Sequence, residues 1–286
     1  MIDPVAGYVF AIDKPLGWSS FHVVKKLRGA LLARLRKVDI RKLKVGHAGT
    51  LDPLATGVML LCCGKATRTI DTLQAGTKVY VAEIALGATT PSFDMETPVD
   101  ATYPTEHITR ELVEETLRKF VGDIEQIPPQ YSACKIEGER AYELIRKGET
   151  PDLKPKILRI DEITLLDFSP EKITVRVVCS KGTYIRALAR DIGVALNSGG
   201  HLTALRRERV GDYSLADCMQ VDRAEEFIRS APMQVHRDDG TPEEVPPLAP
   251  RHSDRPATDD GGPIKPWHLR PENQNFTQNN NLSATD

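Results

Sequence analysis

Lys44-Val45-Gly46-His47-Ala48-Gly49-Thr50-Leu51-Asp52-Pro53-Leu54-Ala55-Thr56-Gly57 is the stretch on which the reading of this chain turns. It holds one carboxylate, one imidazole and three glycines, and it runs straight into the apolar segment Val58 to Cys62. Glycine admits positive φ and close approach of another backbone or a ligand. Pro53 biases Asp52 toward an extended conformation. A loop of this kind, entering a buried strand, can hold a single acid at the mouth of a cleft. Spacing alone equally allows a plain turn or helix cap, because Asp-Pro commonly starts a turn.

On the N-terminal side, Tyr8 to Ile12 reads as a short strand, followed by the turn Asp13-Lys14-Pro15-Leu16-Gly17. Ser19 or Ser20 can cap a helix whose apolar positions Phe21, Val24, Leu27, Leu31 and Leu35 recur at helical spacing. From Lys25 to Lys44 the chain is dense in Lys and Arg, with Asp39 the only acid. Such a patch suits a polyanion, since neutralised phosphates release counterions; a solvated helix face is the plain alternative. On the C-terminal side a helix from about Ala66 stops at Gly76, read as a C′ glycine. Lys78 to Leu86 is the next strand, and Thr109 caps a helix carrying Leu112, Leu117 and Phe120. Alternation of Ile173, Val175, Val177 and Cys179 with Thr174, Arg176 and Val178 marks a half-buried strand. After Ser180-Lys181-Gly182 a helix presents Ile185, Leu188, Ile192 and Leu196 on one face. Tyr184 and Arg186 therefore stand at a strand-to-helix junction, where backbone N–H groups favour anions.

Strands and helices do not alternate in the regular βαβ order of a doubly wound fold, and neither a Gly-x-Gly-x-x-Gly nor a P-loop occurs. The expected fold is α+β, a mixed, mainly antiparallel sheet flanked by helices. Residues 1–230 are expected to form the folded unit. Residues 231–286 turn rich in Pro, Asp, Gly and Asn, carry five Lys/Arg against nine Asp/Glu, and are expected to be a disordered tail. A hydrophobic content of 40% and a charged content of 27% in 286 residues fit a soluble globular protein. No apolar run approaches the roughly 20 residues that span a bilayer, and Met1-Ile2-Asp3-Pro4 does not open a signal peptide. The five cysteines include no Cys-x-x-Cys pair. Reduced, buried thiols, no metal site, no membrane and a cytoplasmic location are expected.

The loop from Gly46 to Gly57 resembles the catalytic motif of TruB-type tRNA pseudouridine synthases. The resemblance extends over Asp13 to Ser20, Lys78-Val79-Tyr80-Val81, Gly122 to Ala133, Lys181-Gly182-Thr183-Tyr184-Ile185-Arg186 and Leu205-Arg206-Arg207. These blocks fall in the family's order and cover most of residues 8–215. The resemblance implies the pseudouridine synthase fold, and isomerisation of the uridine at tRNA position 55, in the TΨC loop, without cofactor or metal. It makes Asp52 the catalytic carboxylate, Arg186 its partner, and Tyr80 the ring that stacks on the flipped base and helps remove the C5 proton. It places His47 and Tyr184 against the nucleotide, Leu205 in the wall of the base pocket, and Lys14 and Pro15 in the floor of the site. Attack at C1′, addition to the base, and stabilisation of charge at C1′ all stay open at this point. The partner implied is tRNA, through its T stem-loop, bound by a monomer. Family members often carry a C-terminal RNA-binding PUA domain, for which residues 231–286 are unsuited, so the basic helix is expected to grip the RNA. Of the acidic pair that often follows the strand ending at Leu86, only Asp94 is matched. A non-catalytic RNA-binding or tRNA-folding chaperone on the same scaffold is the alternative, and a guide-RNA-dependent rRNA synthase a third.

Overall fold

The computed structural model describes residues 1–249 apart from 133, 137, 138, 142, 143, 145, 146, 150 and 238. The described residues pack as two compact units: Met1–Gly76 with residues 207–249, and Thr77–Arg206.

In the first unit, strand β1 (Tyr8–Lys14) runs antiparallel to β3 (Ala55–Cys63), with Tyr8 opposite Cys63 and Lys14 opposite Gly57. The short β2 (Val45–His47) pairs with the far end of β3, and Met219–Gln220 adds to β1 in parallel. The sheet is mixed, as expected. Helix α1 (Ser20–Leu35) covers one face with Val23, Leu27, Leu31 and Leu35 against Phe10, Ile12, Met59 and Leu61. Burying each such side chain is worth about 1.5–3 kcal/mol. Val58 and Leu60 point the other way, onto Ala11, Ala48 and Val210. Because both faces of β3 are covered, its sequence is a continuous apolar run.

The structure corrects three expectations. Phe21 is 69% exposed and lies outside the buried stripe of α1, which uses Val23 and Ala30 instead. Gly76 does end helix α2 (Ile70–Ala75), yet its φ is −56°, not left-handed. Its missing side chain matters for packing, because a Cβ there would stand 2.9 Å from the Cα of Gly211. Finally, the described residues of 231–249 are folded. Gln234–His236 and Pro242–Glu244 form a hairpin, and Met233, Val235 and Val245 are buried against the α1 core. The remainder of the expected tail, 250–286, lies outside the described residues.

In the second unit three antiparallel pairings join four strands. β4 (Lys78–Leu86) pairs with Lys172–Cys179, which pairs with Lys156–Ser169, which pairs with Gly122–Gln126. Ile173, Val175, Val177 and Cys179 are all buried. Helix α3 (Arg110–Arg118), capped by the Thr109 side chain, and helix Ile185–Ala195 supply the apolar cover.

Candidate active site

Asp52 is half-buried in the first unit, in a turn closed by a hydrogen bond from Ala55 N–H to its own carbonyl (3.0 Å). The Asp-Pro pair does start a turn, and the surroundings fix where that turn sits. On the upstream side, the buried Ser20 hydroxyl accepts from Leu51 N–H at 2.9 Å and donates to Leu51 C=O at 3.0 Å. On the downstream side, the Pro53 carbonyl accepts from Gly17 N–H (2.8 Å) and from Lys14 Nζ (3.3 Å). Lys14 is fully buried, and its ammonium also donates to the carbonyls of Pro15 (3.0 Å) and Trp18 (2.6 Å). Three donors therefore meet three acceptors. Burial pushes the Lys14 pKa down to about 8, with the Asp52 charge acting to raise it and Arg207 to lower it.

Arg207, also buried, braces the other limb of the loop. Its guanidinium donates to the carbonyls of Val58 (2.7 Å), Gly49 (3.1 Å) and Thr50 (3.5 Å). The Arg207 backbone passes so close to Gly57 that a Cβ there would lie 2.2 Å from its carbonyl oxygen, and Gly57 has φ +103°. Only glycine fits. His47 sits on β2, its pKa lowered first by burial and then by the Arg207 charge. Both causes disfavour the charged ring, and among the described residues its buried Nδ1 has no hydrogen-bond partner.

In the second unit, Tyr80 is a buried residue of β4, on the face shared with Ala82 and Ile84 and opposite Val177 in register. Tyr184 is the N-cap residue of helix Ile185–Ala195, and Arg186 falls in the first turn. The junction is fixed by Gln126, whose buried amide accepts from Tyr184 N–H (2.8 Å) and donates to Tyr184 C=O (3.2 Å). The buried Arg186 guanidinium donates to the carbonyls of Ser92 (3.2 Å) and Tyr131 (3.0 Å) and pairs with buried Asp94 (Nε to Oδ2, 3.6 Å). Leu205 is half-buried in strand Gly200–Val210.

Of the residues singled out in the sequence, His47 and Asp52 thus share one loop of the first unit. Tyr80, Tyr184, Arg186 and Leu205 belong to the second. Sequence reasoning missed the contributions of Ser20, Gln126 and Arg207. Ser20 had a detectable signal: of two adjacent serines, only one can cap a helix. Gln126 and Arg207 were legible only as polar residues within otherwise recognisable blocks. Among the described residues no three His, Cys, Asp or Glu side chains group as a metal site. None of their helices is long and apolar enough to cross a membrane.

A loop that fixes one carboxylate among buried cations, together with the ordered blocks around Tyr80, Gln126 and Arg186, can be set against known proteins. The model for the TruB family pseudouridylate synthase N-terminal domain matches residues 36–185. That for the tRNA pseudouridylate synthase B C-terminal domain matches residues 186–234. The chain belongs to the TruB family of pseudouridylate synthases. It is 63% identical over 222 residues to a protein of Phocaeicola vulgatus named tRNA pseudouridine synthase B, covering 78% of this chain and 93% of that one. A protein of the same name from Thermobifida fusca is 45% identical over 232 residues, covering 78% of this chain and 76% of that one. Among solved structures, one described as a Cbf5-Nop10-Gar1 complex is similar, with a TM-score of 0.56 and 28% identity. That match covers 77% of this chain and 55% of the solved one, so the TruB-family chain spans about half the length of that structural relative.

Proposed function

We propose that this chain converts the uridine at position 55 of the tRNA TΨC loop to pseudouridine, acting as a monomer, with Asp52 as the catalytic carboxylate. Membership of an isomerase family supports the reaction class. The observation that carries the assignment to Asp52 is the double anchoring of its turn, by Ser20 at Leu51 and by Lys14 and Gly17 at Pro53. A reacting group gains most when its position is fixed before substrate arrives. In the isomerisation the N1–C1′ bond breaks, the base turns, and a C5–C1′ bond forms. C5 loses its proton and N1, released from the sugar, takes one up, so the atoms balance and no redox partner is required. Asp52 serves as the anion that adds to the nucleotide or offsets positive charge at C1′.

Tyr80 takes the role of stacking on the flipped base and aiding loss of the C5 proton. By the family resemblance Arg186 takes the role of cationic partner to the carboxylate, and His47, Tyr184 and Leu205 that of contacting the nucleotide. Asp52→Asn and Asp52→Ala test the reading. Purified variants are incubated with an unmodified tRNA transcript, and new pseudouridine is mapped. The rate is expected to fall by at least about a thousandfold, with tRNA affinity within a few-fold of the parent. Modification by Asp52→Ala at the parent rate would rule out Asp52 as the reacting group.

A further inference from the structure

Trp18 is followed by two serines that are adjacent in sequence but do different work. Ser19 is the helix cap: its side chain accepts from His22 N–H at 3.2 Å and lies within 3.0 Å of His22 Nδ1. Ser20 is the first residue of α1, almost fully buried, and its hydroxyl makes no capping bond. Both of its hydrogen bonds go 31 residues along the chain, to the N–H and the C=O of Leu51. One hydroxyl thus replaces the pair of bonds a neighbouring strand would give, and does so at the residue immediately before Asp52. Leu51 is itself buried, so water cannot take over these two backbone groups if the hydroxyl is removed.

We propose that Ser20 is a positioning residue for the isomerisation: it ties the start of α1 to Leu51 and so sets the location and direction of the Asp52 carboxylate. Its companion on the other side, the bonds of Lys14 and Gly17 to Pro53, reaches the loop from the same Asp13–Ser20 segment. Asp52 is therefore held by one rigid piece of chain at two points. A displacement of about 1 Å at a reacting group can cost on the order of a hundredfold in rate. The effect should fall on the chemical step and leave RNA binding alone, because the buried hydroxyl offers nothing to a ligand.

The inference rests on the activity proposed above, and the experiment separates the two. Ser20→Ala and Ser19→Ala are compared with the parent for single-turnover rate on a tRNA transcript, tRNA affinity and thermal melting. Ser19→Ala should melt lower and keep its rate. Ser20→Ala should lose at least about tenfold in single-turnover rate with affinity unchanged, and Ser20→Thr, which restores the hydroxyl, should recover most of that loss. A parent-like rate for Ser20→Ala, or equal rate losses in the two alanine variants, overturns the inference while the function stands. An inactive parent overturns both. Should Ser20→Ala fail to fold, Ser20→Cys takes its place, a lowered rate supporting the inference and a parent-like rate refuting it.

Discussion

Lys14 shows how much one side chain can carry. Its ammonium lies out of water, satisfied by three carbonyls, two of them in its own turn and the third on the loop of Asp52. With a pKa of about 8 folded and near 10.5 unfolded, the unfolded chain binds the extra proton between those two values. Folding stability attributable to Lys14 therefore rises as pH climbs from about 8 to 10.5, and below 8 the full cost of burying the charge is present. In chemical denaturation, the parent should gain on Lys14→Met across that window by up to about 3 kcal/mol. A constant difference across it would mean that Lys14 titrates normally in the folded chain. The Asp52 loop was legible as a motif, since its residues are contiguous. How it is held was not, because Ser20, Lys14 and Arg207 reach it from 31 to 157 residues away in sequence.

At the scale of elements, strong local periodicity was the readable part. β3, β4 and Lys172–Cys179 fall where apolar runs and alternation put them, and Thr109 caps α3 as its type suggests. The failures came where a neighbour decides. Phe21 obeys the helical spacing of α1 but faces outward, while Arg34 falls on the buried stripe although it is charged. Arg34 is held by the carbonyls of Ile228 (2.9 Å), Ala231 (2.6 Å), Val245 and Pro246 (3.2 Å). Composition made residues 231–249 look disordered because their fold depends on this one distant guanidinium and on three apolar side chains. Ending the chain at Met233 removes two of the four acceptors and the buried Val235 and Val245. An uncompensated buried charge of this kind costs about 3–5 kcal/mol. Such a truncation should melt far below the parent, whereas a chain ending at Ala249 keeps all four acceptors and the hairpin. Equal melting temperatures for the two would show that the hairpin adds nothing.

For the whole molecule, the question is how a chain of net charge −2 meets a polyanion. Charge must be segregated, and the basic run from Lys25 to Lys44 is where the sequence concentrates it. The structure sorts that run into two groups. Lys26 pairs with Asp222 and Glu225, Arg28 donates to the Leu43 carbonyl, Arg34 is buried, and Lys37 donates to the Pro247 carbonyl. These cations help to hold the first unit together, so reversing their charge would confuse unfolding with weakened RNA binding. Lys25, Arg36, Arg41 and Lys42 are exposed and make the cleaner test. Neutralising all four to glutamine should weaken tRNA binding and leave melting nearly unchanged. Each phosphate that is no longer neutralised should lower the slope of log affinity against log salt by roughly 0.7–0.9. If all four side chains meet phosphates, the quadruple variant flattens the plot by about 3 between 50 and 200 mM salt. An unchanged slope would assign RNA binding to another face, even if the intercept moved, because only direct neutralisation of phosphate releases counterions.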